Sequence, residues 1–283
     1  MNLRTDLALE SAESGDFDRE GIEFFEEKSE DATLTRLKIK DRAAAKRLGK
    51  PIGDYVTVEV KRFTADAGLD RGAVFLLGRE ISKLLPQNAS SVLVAGLGNS
   101  DITPDALGPR AAEKIIATRH ISKELAASLG LPRLRAVSVL APGVLGQTGI
   151  ETGEIILATA EKINPSAVIV IDALAARSLS RLGTTVQITN AGITPGSGVG
   201  NARSEISEKT LRVPVIAVGV PTVVDMQTLF CDVGAKVSVD LPDMIVTPKE
   251  VDLMIDRAAE LIAVSINKAL QPELSLDDIL GLI

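Results

Sequence analysis

The stretch Ser91–Pro109, SVLVAGLGNSDITPDALGP, constrains the fold more than any other, because it sets a buried strand, a glycine turn and an acid at a helix start one after another. Ser91 to Ala95 is a short, largely β-branched run bounded by turn residues, which predicts a strand buried on both faces. Gly96 and Gly98 let the backbone turn where side chains would clash, and Asn99, Asp101 and Thr103 supply turn and capping chemistry. Pro104 suits a first helical position, so Asp105 falls in the first turn of a helix running from Ala106 to about Thr118. A carboxylate is thereby displayed at the carboxyl end of a sheet strand, where open α/β sheets keep their chemistry. The plainer reading of Asp105 is that it stabilises a helix start.

A second stretch has the same form. Ala167 to Ile171, AVIVI, reads as another buried strand, and it ends directly in Asp172, followed by ALAAR. Two acids at the tips of apolar parallel strands share one address, so Asp105 and Asp172 are candidates to converge on one cleft. If they meet, desolvation and mutual repulsion raise one pKa and leave an acid and a base to activate a water.

The rest of the chain supports one α/β domain over residues 1–283, with a polar and mobile front end over 1–50. Within that front end, residues 10–31 are strongly acidic and 35–50 mostly basic, so these stretches either pair or are solvated. Tyr55–Val60 alternates as a strand, and Arg71–Leu85 has helical spacing. A short helix near Lys123–Leu129 and a strand at Val137–Leu140 lead to the glycine-rich loop Pro142–Thr152, and a helix follows over Glu154–Ile163. Thr184–Thr189 reads as an edge or half-exposed strand, followed by the loop NAGITPGSGVGN. A short helix over 204–211 precedes the buried strand Pro214–Val220, and a long amphipathic helix covers Lys249 to about Leu270. Strands alternating with helices predict a doubly wound, mainly parallel sheet flanked by helices.

Counting removes several chemistries. With 45% hydrophobic residues the 283-residue chain has ample material for a large core. A net charge of -7 and only six Phe, one Tyr and no Trp argue against a nucleic-acid surface. The single cysteine, Cys231, excludes an internal disulfide and suits a reducing cytoplasm. No apolar run approaches the length that crosses a membrane. GLGNSD has Asp101 where a dinucleotide fingerprint needs its third glycine, and no phosphate loop with a following GK occurs, so no nucleotide cofactor is expected. His120 is the only histidine, which excludes metal sites built on two, and no metal is expected. No GxSxG elbow is present, and Ser197 reads as a small residue in a tight turn. Two acids and three glycine-rich loops remain.

In order along the chain, GLGNSDITPDALGP, APGVLGQTGIETGE, IDALAAR, AGITPGSGVGNAR, VPVIAVGVPTVVD and MIVTPKEVD resemble the germination proteases, endopeptidases that degrade small acid-soluble spore proteins when a bacterial spore germinates. RTDLA at Arg4–Ala8 resembles the start of the mature family member. The resemblance implies a sequence-selective aspartic-type endopeptidase of the spore core, with a fold similar to hydrogenase maturation proteases, a zymogen stage and a homotetrameric assembly. Its two catalytic aspartates fall on Asp105 and Asp172, the positions already marked by the strand tips. Backbone amides of the loops around Gly96, Gly98 and Gly198 are candidates to stabilise an oxyanion, and Asn99, Thr148 and Asn201 are candidate polar side chains lining the cleft. No direct contact with nucleic acid or membrane is implied.

Three features depart from the family pattern. Only Met1–Leu3 precede RTDLA, which fits a processed form or a member without the zymogen switch; only Met226–Asp243 lie between PTVVD and MIVTPKE, where longer relatives carry an insertion; and Asn190 stands where relatives commonly have an acid. Two alternatives stay open: a maturation-type protease whose acids grip a metal on the substrate, and a binding protein that keeps the scaffold without catalysis.

Overall fold

Apolar strands buried on both faces need helices on each side, and the computed structural model arranges the chain in that way. It describes residues 5–13, 20–28, 32–65, 68–128, 133–200, 203–232 and 244–283. In chain order the strands are β1 (Ile22–Lys28), β2 (Thr33–Ile39), β3 (Gly53–Glu59), β4 (Ser91–Gly96), β5 (Ala136–Leu140), β6 (Ala167–Ala176), β7 (Thr185–Thr189), β8 (Val215–Asp225) and β9 (Ile245–Val246). The helices are α1 (Ala8–Glu13), α2 (Arg42–Leu48), α3 (Arg71–Leu84), α4 (Leu107–Ala112), α5 (Lys123–Ser128), α6 (Leu145–Thr148), α7 (Thr152–Ile163), α8 (Glu208–Leu211), α9 (Met226–Asp232), α10 (Val251–Leu270) and α11 (Leu276–Leu282). Among the described residues no helix is long and apolar enough to cross a membrane.

All nine strands join one sheet in the order β1-β2-β3-β7-β8-β6-β4-β5, with β9 beside β8. The expected α/β layering is present, and its parallel part is confined to β5, β4, β6 and β8. The remaining pairings are antiparallel. Parallel neighbours need crossovers of a dozen or more residues, and helices supply these around β4, β5 and β6, whereas β1 and β2 follow each other closely in sequence and pair antiparallel.

Alternation along the parallel strands sends side chains into two cores. Ile169 and Ile171 pack on one side with Val74, Leu77 and Ile81 of α3 and Ile255, Ile262 and Ile266 of α10. Val168 and Val170 pack on the other with Leu93, Ala95 and with Ile156 and Ala160 of α7. Each buried Val, Leu or Ile among them contributes about 1.5–3 kcal/mol, enough to fix the register of the strands that carry the acids.

In the front end expected as polar and mobile over 1–50, the described residues form α1, α2 and the antiparallel pair β1–β2. Its acidic and basic stretches do meet there, Lys40 pairing with Glu23 across the two strands. β7 is not a half-exposed edge strand; it lies between β3 and β8 and is buried along its whole length. Its polar Gln187 is tolerated inside because its side chain accepts from the Ala8 amide at 2.8 Å and donates to the Asp6 carbonyl at 3.2 Å. The helix expected to reach Thr118 ends at Ala112, where the Asn267 side chain of α10 donates to the Lys114 carbonyl and accepts from the Ile116 amide. β6 and β8 both run past the points where the apolar pattern places their ends.

Candidate active site

Asp105 is fixed by the turn that follows β4. The Leu97 amide donates to the Ile171 carbonyl at 2.8 Å, so the chain leaves β4 still tied to β6. Gly98 then takes φ 113°, a conformation that side-chain-bearing residues rarely adopt. An ideal Cβ on Gly98 would lie 2.0 Å from the Asp105 carbonyl oxygen, so the turn closes directly on the acid's backbone. Asp105 itself stands in a 3-10 turn, Thr103–Asp105, just ahead of α4 rather than inside a helix beginning at Pro104. Its amide donates to the Ile102 carbonyl at 2.8 Å, and its Oδ2 accepts from the Asn99 amide at 2.8 Å.

Asp172 is held more deeply. The strand expected to end at this residue continues four positions further, and Asp172 pairs in register with Gly219 of β8. Asp172 is 5% exposed, and its Oδ1 accepts from the Ala173 amide at 2.9 Å. Burial first, then the negative charges of Asp105 and Asp6, push its pKa well above the ordinary carboxyl range, with the Ala173 amide opposing. Burial also raises the pKa of Asp105, but there the Asn99 amide pulls back and favours the ionised form. The two environments separate the acids into one readily protonated and one more readily ionised.

Both acids line one cleft of about 520 Å³, together with Gly98, Asn99, Glu151, Thr152, Arg203 and Thr222. Ile102, Val144, Leu145 and Ile245 give it an apolar wall. A larger cavity of about 910 Å³ lies near the opposite ends of the strands, between Ser90, Arg133 and Ala136, away from both acids.

The cleft also contains an acid that the strand-tip pattern does not mark. Asp6 pairs its backbone amide with the Ala175 carbonyl at 2.9 Å, while its Oδ2 accepts from the Ala175 amide at 2.8 Å and its Oδ1 from the Ser197 hydroxyl at 2.7 Å. An ideal Cβ on Gly198 would lie 2.2 Å from Asp6 Oδ2, so this glycine makes room for the carboxylate. RTDLA carries Asp6 in sequence, but only the docking of the N-terminal segment on β6 and β7 brings it to Asp172.

The other candidates divide. Gly98 and Asn99 line the cleft, and the Asn99 side chain accepts from the Asp101 amide at 3.0 Å and from Gln147 Nε2 at 2.8 Å. Gly96 is buried as the last residue of β4 beneath Gly108. Thr148 is corrected. It is exposed, and its hydroxyl donates to the carbonyls of Val144 and Ile150 in its own turn, while Glu151 and Thr152 reach the cleft instead. Asn201 lies outside the described residues. His120 is exposed on the turn after α4, and Cys231 is exposed. Among the described residues no group of three His, Cys, Asp or Glu is arranged to hold a metal ion.

Comparison with known proteins adds a family to this geometry. The sequence pattern of the family described as Germination protease matches residues 3–241. The chain is similar to a germination protease of Caldanaerobacter subterraneus subsp. tengcongensis, 42% identical over 97% of this chain and 96% of that one. A germination protease of Clostridium perfringens is also 42% identical, over 98% of each chain, and one of Bacillus cereus is 42% identical over 82% of this chain and 65% of its own length. Among solved structures, a [NiFe] hydrogenase maturation protease HycI from Thermococcus kodakarensis aligns with 66% of this chain and 98% of its own, at a TM-score of 0.38 and 17% identity.

Proposed function

The chain belongs to the germination protease family and is a peptidase, and from that premise we propose that it is an aspartic-type endopeptidase in which Asp105 and Asp172 together activate a water. The observation that carries this reading is the placement of both acids in one cleft, where Asp172 is buried and faces the negative charges of Asp105 and Asp6 while Asp105 is less deeply buried. Asp105, whose ionised form accepts from Asn99, is the base and draws a proton from the water. Asp172, buried and facing two negative charges, is the acid and donates to the leaving amine. After peptide release the protonation states are restored by exchange with solvent.

The oxyanion donors in this reading come from the backbone around Gly98 and Gly198. Asn99 has a different part, because its amide is already engaged by Asp105. The apolar wall of Ile102, Val144, Leu145 and Ile245 would bury side chains of an extended peptide. The substrates in this proposal are small acid-soluble spore proteins, cleaved in the spore core during germination by a homotetramer, and family membership is the support for those particulars.

Digestion of a purified small acid-soluble spore protein tests the reading, using the wild-type chain, Asp105→Asn and Asp172→Asn, with fragments read by mass spectrometry. Cleavage at a few defined sites by the wild type, lost in both folded variants, is the expected result. Full cleavage by either folded variant would remove the pair.

A further inference from the structure

Two of the six sequence motifs, VPVIAVGVPTVVD and MIVTPKEVD, have no role in the chemistry so far. The structure brings them together beside Asp105. In the pairing of β6 with β8, Leu174 stands opposite Pro221 and Ala175 opposite Val223, so Thr222 is an extra residue in β8. Such a bulge leaves one residue outside the ladder and re-aims its side chain, and bulges recur next to active sites. Here the re-aimed hydroxyl of Thr222 donates to the Pro104 carbonyl at 2.8 Å. Thr222 is 1% exposed, and its own carbonyl accepts from the Thr247 hydroxyl at 3.2 Å.

The Pro104 carbonyl belongs to the peptide bond whose amide is that of Asp105. That amide donates to the Ile102 carbonyl, so both polar groups of this one peptide are held. We propose that Thr222, with Thr247 behind it, is a positioning residue that locks the peptide plane entering Asp105 and so aims its carboxylate at the water beside Asp172. β9 supplies the outer part of the device: Val246 pairs with Val224 and Ile245 with Asp225, which places Thr247 alongside the bulge. The chain of contacts runs Thr247, Thr222, Pro104, Asp105, through hydrogen bonds and one peptide bond. It rests on Asp105 acting in catalysis, as proposed above.

Replacing the hydroxyl by a methyl group keeps the β-branched shape, so Thr222→Val tests the bond rather than the volume. Steady-state cleavage of the same spore protein is measured for Thr222→Val, Thr222→Ser, Thr247→Val and Asp105→Asn, with thermal unfolding in parallel. A misaimed catalytic group lowers turnover without weakening ground-state binding, so Thr222→Val should lose about 10- to 100-fold in kcat with KM within about twofold. Thr222→Ser, which keeps the donor, should return to within about threefold, and Thr247→Val should lose about 3- to 10-fold. A looser turn also weakens the Asn99 amide bond that favours ionised Asp105, so the acidic limb of the rate profile should move to higher pH in Thr222→Val. A purely structural threonine would lower the melting temperature and leave that limb in place.

Equal impairment of Thr222→Val and Thr222→Ser, unchanged kcat in folded Thr222→Val, or a rise in KM alone would overturn the proposal. If Thr222→Val does not fold, unchanged kcat and pH profile in Thr247→Val overturn it equally. Activity in folded Asp105→Asn would instead remove the catalytic premise, whereas its loss alongside a fully active Thr222→Val would remove only the positioning role.

Discussion

Replacing Asp172 with asparagine should make the fold more stable at neutral pH and leave it nearly unchanged near pH 4. In the folded protein the Asp172 carboxyl is buried, faces Asp105 and Asp6, and has its pKa raised well above the ordinary value. In the unfolded chain it titrates at about 3.9. Below that pH both states hold the proton and the group costs nothing. As pH rises toward the folded value, only the unfolded state releases its proton, so stability falls by about 1.4 kcal/mol per pH unit. Above the folded value both states are ionised and the loss stops growing. Asparagine is nearly isosteric with the protonated acid and can still accept from the Ala173 amide through Oδ1.

The stability difference between Asp172→Asn and wild type should therefore grow as pH rises above about 3.9, by about 1.4 kcal/mol per pH unit, until the folded group ionises. For a chain of this size each such unit corresponds to about 3–6 °C in melting temperature. Urea titrations and calorimetry at half-unit pH steps measure it, and subtraction of the wild-type curve cancels every other titrating group that the substitution leaves alone. Asp105→Asn is the internal comparison: burial alone raises Asp105, without the neighbouring negative charges that act on Asp172, so its window should be narrower. A difference that does not change with pH would refute the reasoning, because it would mean that Asp172 titrates alike in both states.

Gly98→Ala forces a side chain into φ 113° and sets a Cβ against the Asp105 carbonyl, at a cost of about 1–3 kcal/mol for the backbone alone. Because the displaced atom belongs to the proposed base, kcat in the spore-protein digestion should fall about 100-fold or more while circular dichroism retains the native signature; wild-type turnover would contradict the turn's role. Asp6→Asn removes one of the negative charges that raise Asp172. Its ionised form is then less disfavoured, so the alkaline limb of the pH–rate profile should move to lower pH, and an unmoved limb would show that Asp6 does not act on the acid.

The parts of the fold that could be read in sequence are those that one local pattern determines. β4 and the core of β6 are apolar runs whose burial on both faces leaves a single arrangement; Asp172 comes directly after the apolar run of β6, and Asp105 after the glycine turn that closes β4. α10 is legible for the same reason, since its apolar stripe repeats at helical spacing and packs on α3. Where the outcome depends on partners distant in sequence, local pattern fails. Gln187 and the threonines of β7 look like an exposed edge until α1 and the residues before it cover them. β8 continues through Pro221 because a bulge accommodates the residue that cannot donate to a ladder. Asp6 has no strand, glycine or cap beside it to mark it, and its place is set by Ala175 and Ser197, which lie 169 and 191 positions further along the chain.

The glycines of the first motif serve the site in a way that its resemblance to an anion-binding loop conceals. An ideal Cβ on Gly96 would lie 2.1 Å from the Gly108 carbonyl oxygen, and one on Gly108 would lie 2.1 Å from the Leu97 oxygen and 2.6 Å from the Ile171 oxygen. β4, β6 and α4 therefore meet backbone on backbone, closer than any side chain allows. Nor are the turn's amides a row of vacant donors: that of Leu97 is bound to Ile171 and that of Asn99 to Asp105. This close crossing seats α4 and the preceding 3-10 turn directly on the strand ends, so that Asp105 faces the strand bearing Asp172. An acid carried over an ordinary strand-to-helix loop would stand further out, in water, where neither desolvation nor its partner's charge could separate the two pKa values. The glycines thus act through close backbone packing, and the chemistry proposed for the pair depends on a contact made entirely by main chain.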